Sequence, residues 1–284
     1  MALSGVSMFA VKMHDGRPER PEKGFVKMGK MLSVALAAIV LTTLSGVSGA
    51  ETLKSRVGVW GGYGKVGLKE LNKAMDEISV QFTGKEVKDL TEEAAVGVEG
   101  GYAISSNVLL CAKIGYMGTS NLASVEKELP ILGSAKFTAS GSAVPMMGGI
   151  RYMVPLADRL SAGLGAYAGV AQVTANVAVS AELFGIKKTM NVGYDGTAPA
   201  VQGLACMEYR LVDNLSVSGD VGYIFLRAPD ISAIKAANVD TSAISGLGGV
   251  VDVAKGAKLK DEKGDKVEMD MSGWAVEFAM NYLF

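Results

Sequence analysis

Residues 272–284, with the sequence SGWAVEFAMNYLF, alternate strictly between two kinds of side chain. One parity carries large apolar residues, from Trp274 through Phe278 to Phe284, whereas the other carries small or polar residues that include Glu277. Because successive side chains of a strand point to opposite faces, this stretch predicts a β-strand with one wholly apolar face. Such a strand suits a wall that has lipid on one side and a packed polar interior on the other.

The end of this strand resembles the assembly signal of bacterial outer-membrane β-barrels. In that signal a polar residue and a glycine precede two aromatic or apolar residues, the second of which ends the chain. Glu277, Ala279, Tyr282 and Phe284 stand at those spacings, with Ala279 in place of the usual glycine. The resemblance implies that the barrel-assembly machinery inserts this chain into an outer membrane.

The beginning of the chain has the pattern of a secretory signal. Lys27 and Lys30 precede an uncharged apolar run, residues 31–44, which is shorter than the roughly 20 residues that a spanning helix needs. Small residues follow this run, so we expect a signal peptidase to cleave after Ala50, and an uncleaved anchor helix is the alternative.

These features divide the chain into a presequence, residues 1–50, and one domain, residues 51–284. Residues 1–27 are long and polar for a secretory signal, which leaves open that they are not translated and that the true start is Met28 or Met31. The presequence is left out of the prediction of the fold.

Seven further segments alternate in the same way as residues 272–284, and together they predict eight strands. These segments are 55–63, 94–103, 108–118, 146–154, 159–171, 198–211 and 215–225. Between the first two, apolar residues from Leu68 to Ile78 recur at helical spacing, which predicts a short amphipathic helix on the barrel rim or at the membrane surface. A partner-binding helix is the alternative for this segment.

The connections between the eight predicted strands alternate between long and short. The short ones are 104–107, 155–158 and 212–214. Outer-membrane barrels have an even number of strands, short periplasmic turns and longer external loops. The fold predicted here is therefore an all-β, eight-stranded antiparallel transmembrane β-barrel with a short amphipathic helix in its first external loop.

Aromatic residues of the outward parity fall into two bands, as interfacial Tyr and Trp side chains do in membrane proteins. The predicted periplasmic girdle contains Tyr102, Tyr152, Tyr209, Tyr282 and Phe284. The predicted external girdle contains Tyr63, Tyr116, Tyr223, Phe225 and Trp274. A soluble lipocalin-like barrel, which is the alternative fold, gives no reason for such sorting.

The inward parity carries charges of both signs. These residues are Glu99, Lys113, Arg151, Glu208, Arg210, Asp220 and Glu277. Eight strands leave an interior that side chains can fill, and buried charges must pair, so we expect a lumenal network of ion pairs. We expect Arg210 to be the partner of Glu277, with Arg56 as the second choice. A water-filled path for small solutes is the alternative use of the lumen.

Two other residue types limit the chemistry that this domain can perform. Cys111 and Cys206 fall on strands three steps apart around the wall, too far for a disulfide, so we predict free thiols. The chain has one histidine, His14, and it lies in the presequence. Without a histidine as general base or metal ligand, we expect no enzyme, no metal site and no cofactor.

Residues 55–284 resemble the small eight-stranded outer-membrane barrels of the OmpA, OmpX and OmpW type. The resemblance implies a monomeric barrel in outer-membrane lipid but does not fix its task. The first hypothesis is a structural or surface-interaction role through the external loops, and a narrow channel for small or hydrophobic solutes is the alternative. The partner of the external loops is not identified by any motif. Without the presequence the chain has 22 basic and 26 acidic residues, which does not suggest a nucleic-acid partner.

Overall fold

A computed structural model describes residues 55–68, 72–73, 76, 91–119, 123–129, 133–183, 186–229, 231–234, 237–240, 250–258 and 267–284. The presequence and the predicted cleavage site after Ala50 lie outside these ranges. Within them, no helix has the length and apolar character needed to cross a membrane.

The described part of the chain is built almost entirely from strands. In chain order these are β1 (Ser55–Val66), β2 (Glu92–Ala103), β3 (Val108–Thr119), β4 (Ala123–Leu129), β5 (Gly133–Ala157), β6 (Leu160–Leu183), β7 (Ile186–Val212), β8 (Leu215–Ala228), β9 (Ser232–Ala233), β10 (Ala237–Asp240), β11 (Val250–Val253), β12 (Met269–Asp270) and β13 (Gly273–Leu283). Of the predicted helix between Leu68 and Ile78, residues 72, 73 and 76 are helical and Leu68 is not, and its other residues lie outside the described ranges.

Eight of these strands form a closed ring. The antiparallel order is β1, β2, β3, β5, β6, β7, β8 and β13, and β13 pairs back with β1. At the seam, the backbone N–H of Phe284 donates to the carbonyl of Ser55 at 2.9 Å, and the N–H of Ser55 donates in return. The predicted eight-stranded antiparallel barrel is confirmed. Its short turns, at 104–107, 158–159 and 213–214, share one end, which is the periplasmic end in barrels of this kind.

Strands β5, β6 and β7 are far longer than the sequence predicts, with 25, 24 and 27 residues. About 9–11 residues suffice for a strand to cross a membrane. The predicted strands 146–154, 159–171 and 198–211 are too short, because residues 133–145, 172–183 and 186–197 continue them away from the periplasmic end. β4 pairs with the distal part of β5, and β9 pairs with β7. We call this distal region of β4, β5, β6 and β7 the external sheet.

The boundary between barrel and external sheet is visible on the outward face of β6. Below it the outward residues are apolar, ending at Val170, whereas Gln172, Thr174 and Asn176 follow above it. The sequence prediction relied on apolar outward residues, and that signal ends where the lipid ends. Hydrogen bonding between backbones does not depend on side-chain polarity, so the strands continue beyond the apolar band.

The outward face of the barrel is apolar between its two aromatic bands. All ten predicted girdle residues have exposed side chains, and Phe278, midway between Trp274 and Tyr282 on β13, is 69% exposed. Tyr223 and Trp274 make an edge-to-face contact at 5.5 Å between ring centroids in the external band. Tyr282 and Phe284 stack at 6.1 Å in the periplasmic band.

Candidate functional site

The lumen collects the polar side chains that the strands direct inward. Alternation places one residue in two on this face, and in a ring of eight strands these residues meet at the barrel axis. Seven of the charged side chains that the structure describes are buried there. They are Arg56, Glu93, Glu99, Lys113, Arg151, Asp220 and Glu277.

Glu99 is the centre of an arginine cluster near the periplasmic half of the lumen. Its two carboxylate oxygens accept from Arg56 Nη2 and Arg151 Nη2, each at 2.8 Å. Arg56 Nη1 also donates to Glu208 at 2.8 Å, and Arg151 Nη2 donates to Asp220 at 2.7 Å. Each arginine therefore bridges two carboxylates, which compensates the cost of burying these charges.

Tyr167 joins the same arginine cluster from β6. Its hydroxyl accepts from Arg151 Nε at 2.5 Å and donates to Glu99 Oε2 at 3.0 Å. Tyr167 is 2% exposed, so its ring also fills the lumen beside the ion pairs. At the mouth, Ser216 Oγ donates to Glu208 Oε1 at 2.6 Å.

Lys113 forms a second cluster with residues from three other strands. Its ammonium donates to Glu277 Oε2 at 2.5 Å and to Gln202 Oε1 at 3.2 Å. Gln202 Nε2 donates to the other oxygen of Glu277 at 2.9 Å. The ammonium also lies 4.0 Å from the centroid of the Trp60 ring, a cation–π contact.

The structure corrects the predicted partner of Glu277. Arg210 is exposed, next to a register shift in β7, and takes no part in the ion pairs described here. The long side chain of Lys113 reaches across the lumen to Glu277 instead, and Arg56 pairs with Glu99 and Glu208. The remaining residues of the predicted network, namely Glu99, Lys113, Arg151, Glu208, Asp220 and Glu277, all make ion pairs in the lumen.

Sequence reasoning missed several lumenal residues. Trp60, Tyr167 and Gln202 lie on the inward parity of their strands, so the alternation placed them correctly, but only charged residues were considered for the network. Glycine makes room for the largest of them. A Cβ added to Gly115 would lie 2.4 Å from the Trp60 ring, and one added to Gly97 would lie 2.7 Å from it.

An apolar layer closes the external side of the lumen. It contains Leu68, Leu226, Ile231, Met269 and Met271, each no more than 1% exposed. The backbone N–H of Met271 donates to the carbonyl of Leu226 at 2.8 Å, which fixes the segment before β13 against the end of β8. We call these five residues the apolar plug.

The inner face of the external sheet packs around the plug. Small residues of β6 and β7, such as Ala171 and Ala198, are almost fully buried there. Burial raises the pKa of the Tyr194 hydroxyl on the same face of β7, so this phenol stays neutral. The plug and the sheet therefore form one apolar core outside the membrane.

The two cysteines lie in the lumen of the barrel, near its periplasmic half, and do not pair. Cys111 on β3 and Cys206 on β7 are buried free thiols, which confirms the predicted absence of a disulfide between them. Cys206 Sγ lies 3.3 Å from Met153 Sδ. Within the described ranges, no group of three or more His, Cys, Asp and Glu side chains is placed to hold a metal ion.

The profile of the outer membrane protein β-barrel domain matches residues 34–247, which is most of the chain. The chain belongs to this family. It is an integral protein of the outer membrane that crosses it repeatedly with β-strands. None of the curated proteins matches this barrel in sequence.

Several solved structures are similar to this outer-membrane barrel. Neisserial surface protein A is 10% identical, with 84% of this chain and 100% of that chain covered and a TM-score of 0.37. Ail of Yersinia pestis is 11% identical, with 82% and 99% covered and a TM-score of 0.35. A major outer membrane protein from Thermus thermophilus is 12% identical, with 81% and 99% covered and a TM-score of 0.45.

Proposed function

We propose that this barrel is sealed to solutes and acts as a structural or surface-interaction protein through its external sheet. The observation that supports this proposal is the filling of the lumen in two layers. Of the seven buried charged side chains described in the lumen, six form ion pairs, and the apolar plug above them excludes water. The cavity beside Lys113 and Glu277 has a volume of about 10 Å³.

A solute would meet a different barrier in each layer. In the inner layer it would have to separate ion pairs that depend on one another, because Glu99 holds both Arg56 and Arg151. In the outer layer it would have to displace the apolar plug, which is fixed by backbone hydrogen bonds to β8. Neither layer leaves a continuous polar path, which favours the sealed barrel over the narrow channel.

Conductance in planar bilayers tests the sealed lumen. We expect the purified barrel to give no discrete openings. The variant Met269→Gly/Met271→Gly should stay closed as well, because it loosens only the plug and leaves the ion pairs in place. An open porin added to the same bilayers shows that openings are detectable. Reproducible steps from the wild-type protein would contradict the proposal and support a narrow channel.

The external sheet supports the surface-interaction part of the proposal. Its outward face continues the barrel wall beyond the apolar band and carries hydroxyl and amide side chains. Examples are Gln172, Asn176 and Asn191, which are exposed on β6 and β7. A rigid paired sheet at this height presents polar groups to molecules outside the cell at a fixed distance from the membrane.

Labelling of intact cells tests the position of the external sheet. In the variant Asn176→Cys, we expect a membrane-impermeant maleimide to react with the new thiol. Leu164→Cys is the matched control, because Leu164 is 67% exposed on the same strand but within the apolar band. The native cysteines are buried and should stay unlabelled. Equal labelling of the two variants would contradict the assigned membrane boundary.

We propose that the barrel is a monomer whose outward face contacts outer-membrane lipid. We also propose that the barrel-assembly machinery recognises Glu277, Ala279, Tyr282 and Phe284. Tyr282 and Phe284 are exposed on the outward face of the wall, whereas Glu277 and Ala279 lie on the inward parity. The proposal includes no catalytic role and no nucleic-acid partner.

A further inference from the structure

Two buried polar atoms near the top of the lumen have no hydrogen-bond partner among the described residues. They are the indole Nε1 of Trp60 and the carboxylate Oε2 of Glu93. Glu93 is 1% exposed and Trp60 is 5% exposed, so bulk water does not reach either group. Unsatisfied buried donors and acceptors are rare in folded proteins because they are costly.

Both residues line a cavity beside the Lys113 cluster, whose apolar walls include Met117 and Ile224. Lys113, Gln202 and Glu277 line the same space. Its volume of about 10 Å³ is close to what a single water molecule requires. A donor, an acceptor and a volume of the right size therefore occur together.

The glycines of β1 keep this space open and fix the carboxylate. A Cβ added to Gly64 would lie 3.0 Å from Glu93 Oε1, so that oxygen is held against the β1 backbone. A Cβ added to Gly62 would lie 3.0 Å from Glu277 Cγ and 2.9 Å from the carbonyl oxygen of Val276. Larger residues at these two positions would push the carboxylates out of place.

The chemistry of the lining selects the ligand. A cation would face the indole N–H of Trp60 and the ammonium of Lys113, whereas an anion would face the carboxylates of Glu93 and Glu277. A neutral molecule that both donates and accepts satisfies both kinds of group. Water does so and is small enough for the cavity.

We propose that this cavity is a binding site for one long-lived water, which accepts from Trp60 Nε1–H and donates to Glu93 Oε2. The water connects Glu93 to the Lys113 cluster, since Trp60 and Lys113 are already in contact. The polar part of the lumen then extends from the Lys113 cluster to Glu93. This inference stands apart from the proposed function, because a sealed or a conducting barrel could each hold the water.

Nuclear magnetic resonance of the barrel with ¹⁵N-labelled tryptophan tests the site. The chain has two tryptophans, so two indole N–H signals are expected. Trp274 is 64% exposed on the outward face, and the variant Trp274→Phe assigns the two signals. We expect a cross-peak between the Trp60 indole proton and water, with the sign of a long-lived complex. Trp274 should not show one.

Two variants of Glu93 make the test specific. Glu93→Gln keeps an acceptor and should keep the cross-peak, whereas Glu93→Leu removes the acceptor, fills the space and should lose it. Folding of each variant is checked by the gel shift between heated and unheated samples. A wild-type Trp60 signal without a bound-water cross-peak would overturn the proposal. A Trp60 signal that moves on titration with sodium or potassium chloride would also overturn it, since an ion would then occupy the cavity.

Discussion

Replacing Glu99 by glutamine is expected to lower the free energy of unfolding of the barrel by about 3–5 kcal/mol, the cost of breaking a buried ion pair. Glu99 accepts from Arg56 and from Arg151, and removing its charge leaves both guanidinium groups with one carboxylate fewer. Tyr167 would also lose a charged acceptor. Urea unfolding of the barrel in lipid vesicles, followed by tryptophan fluorescence, measures the change.

The variant Glu208→Gln is the matched control for Glu99→Gln. Glu208 also pairs with Arg56, but its side chain is partly exposed, at 16%, and it has one arginine partner rather than two. Its loss should cost less, about 1.5–3 kcal/mol, which is the range for a hydrogen bond to a charged group. If both variants destabilise the barrel equally, or if neither does, the central role of Glu99 is wrong.

Replacing Phe278 by arginine is expected to destabilise the barrel by about 2–4 kcal/mol, the cost of a cation at the middle of the lipid face. Phe278 is exposed on β13, four residues from each of the girdle residues Trp274 and Tyr282. At this depth a guanidinium group lies far from both interfaces. The same urea titration in vesicles gives the change in unfolding free energy.

Two controls separate the effect of depth in the membrane from the effect of replacing the Phe278 side chain. Phe278→Leu keeps an apolar side chain in lipid and should have an effect below about 1.5 kcal/mol. Tyr63→Arg places the same cation in the external girdle, where the expected cost is about 0–1 kcal/mol. An equal penalty at positions 63 and 278 would show that Phe278 does not face the centre of a bilayer.

The barrel itself could be predicted because its signal is local. Each strand alternates between an apolar residue that faces lipid and a small or polar residue that faces the lumen. A single strand such as β13 therefore already shows both faces. The eight strands, the outward faces of Tyr223 and Trp274, and the inward faces of Lys113 and Asp220 all follow from this alternation. None of them requires knowledge of the neighbouring strand.

The partners inside the lumen could not be predicted in the same way. Lys113 meets Glu277 although β3 and β13 are three steps apart in the ring, and Arg210 lies on the expected parity but at an exposed strand end. Such pairs depend on the tilt of the strands, on their register and on which side chains are long enough to cross the axis. Strand tilt, register and the distance across the axis are set only when the eight strands close into a ring.

The sequence by itself determined the number of membrane strands, the lipid face and the aromatic bands, because lipid acts on every strand separately. Tertiary structure decided the ion pairs, the apolar plug and the height of the external sheet. The plug brings Leu68 and Met269 together from distant parts of the chain. The external sheet forms where lipid no longer selects apolar residues, so its strands are held by backbone pairing and by packing on the plug. Neither backbone pairing nor packing on the plug produces a strong alternation of apolar and polar residues in the sequence.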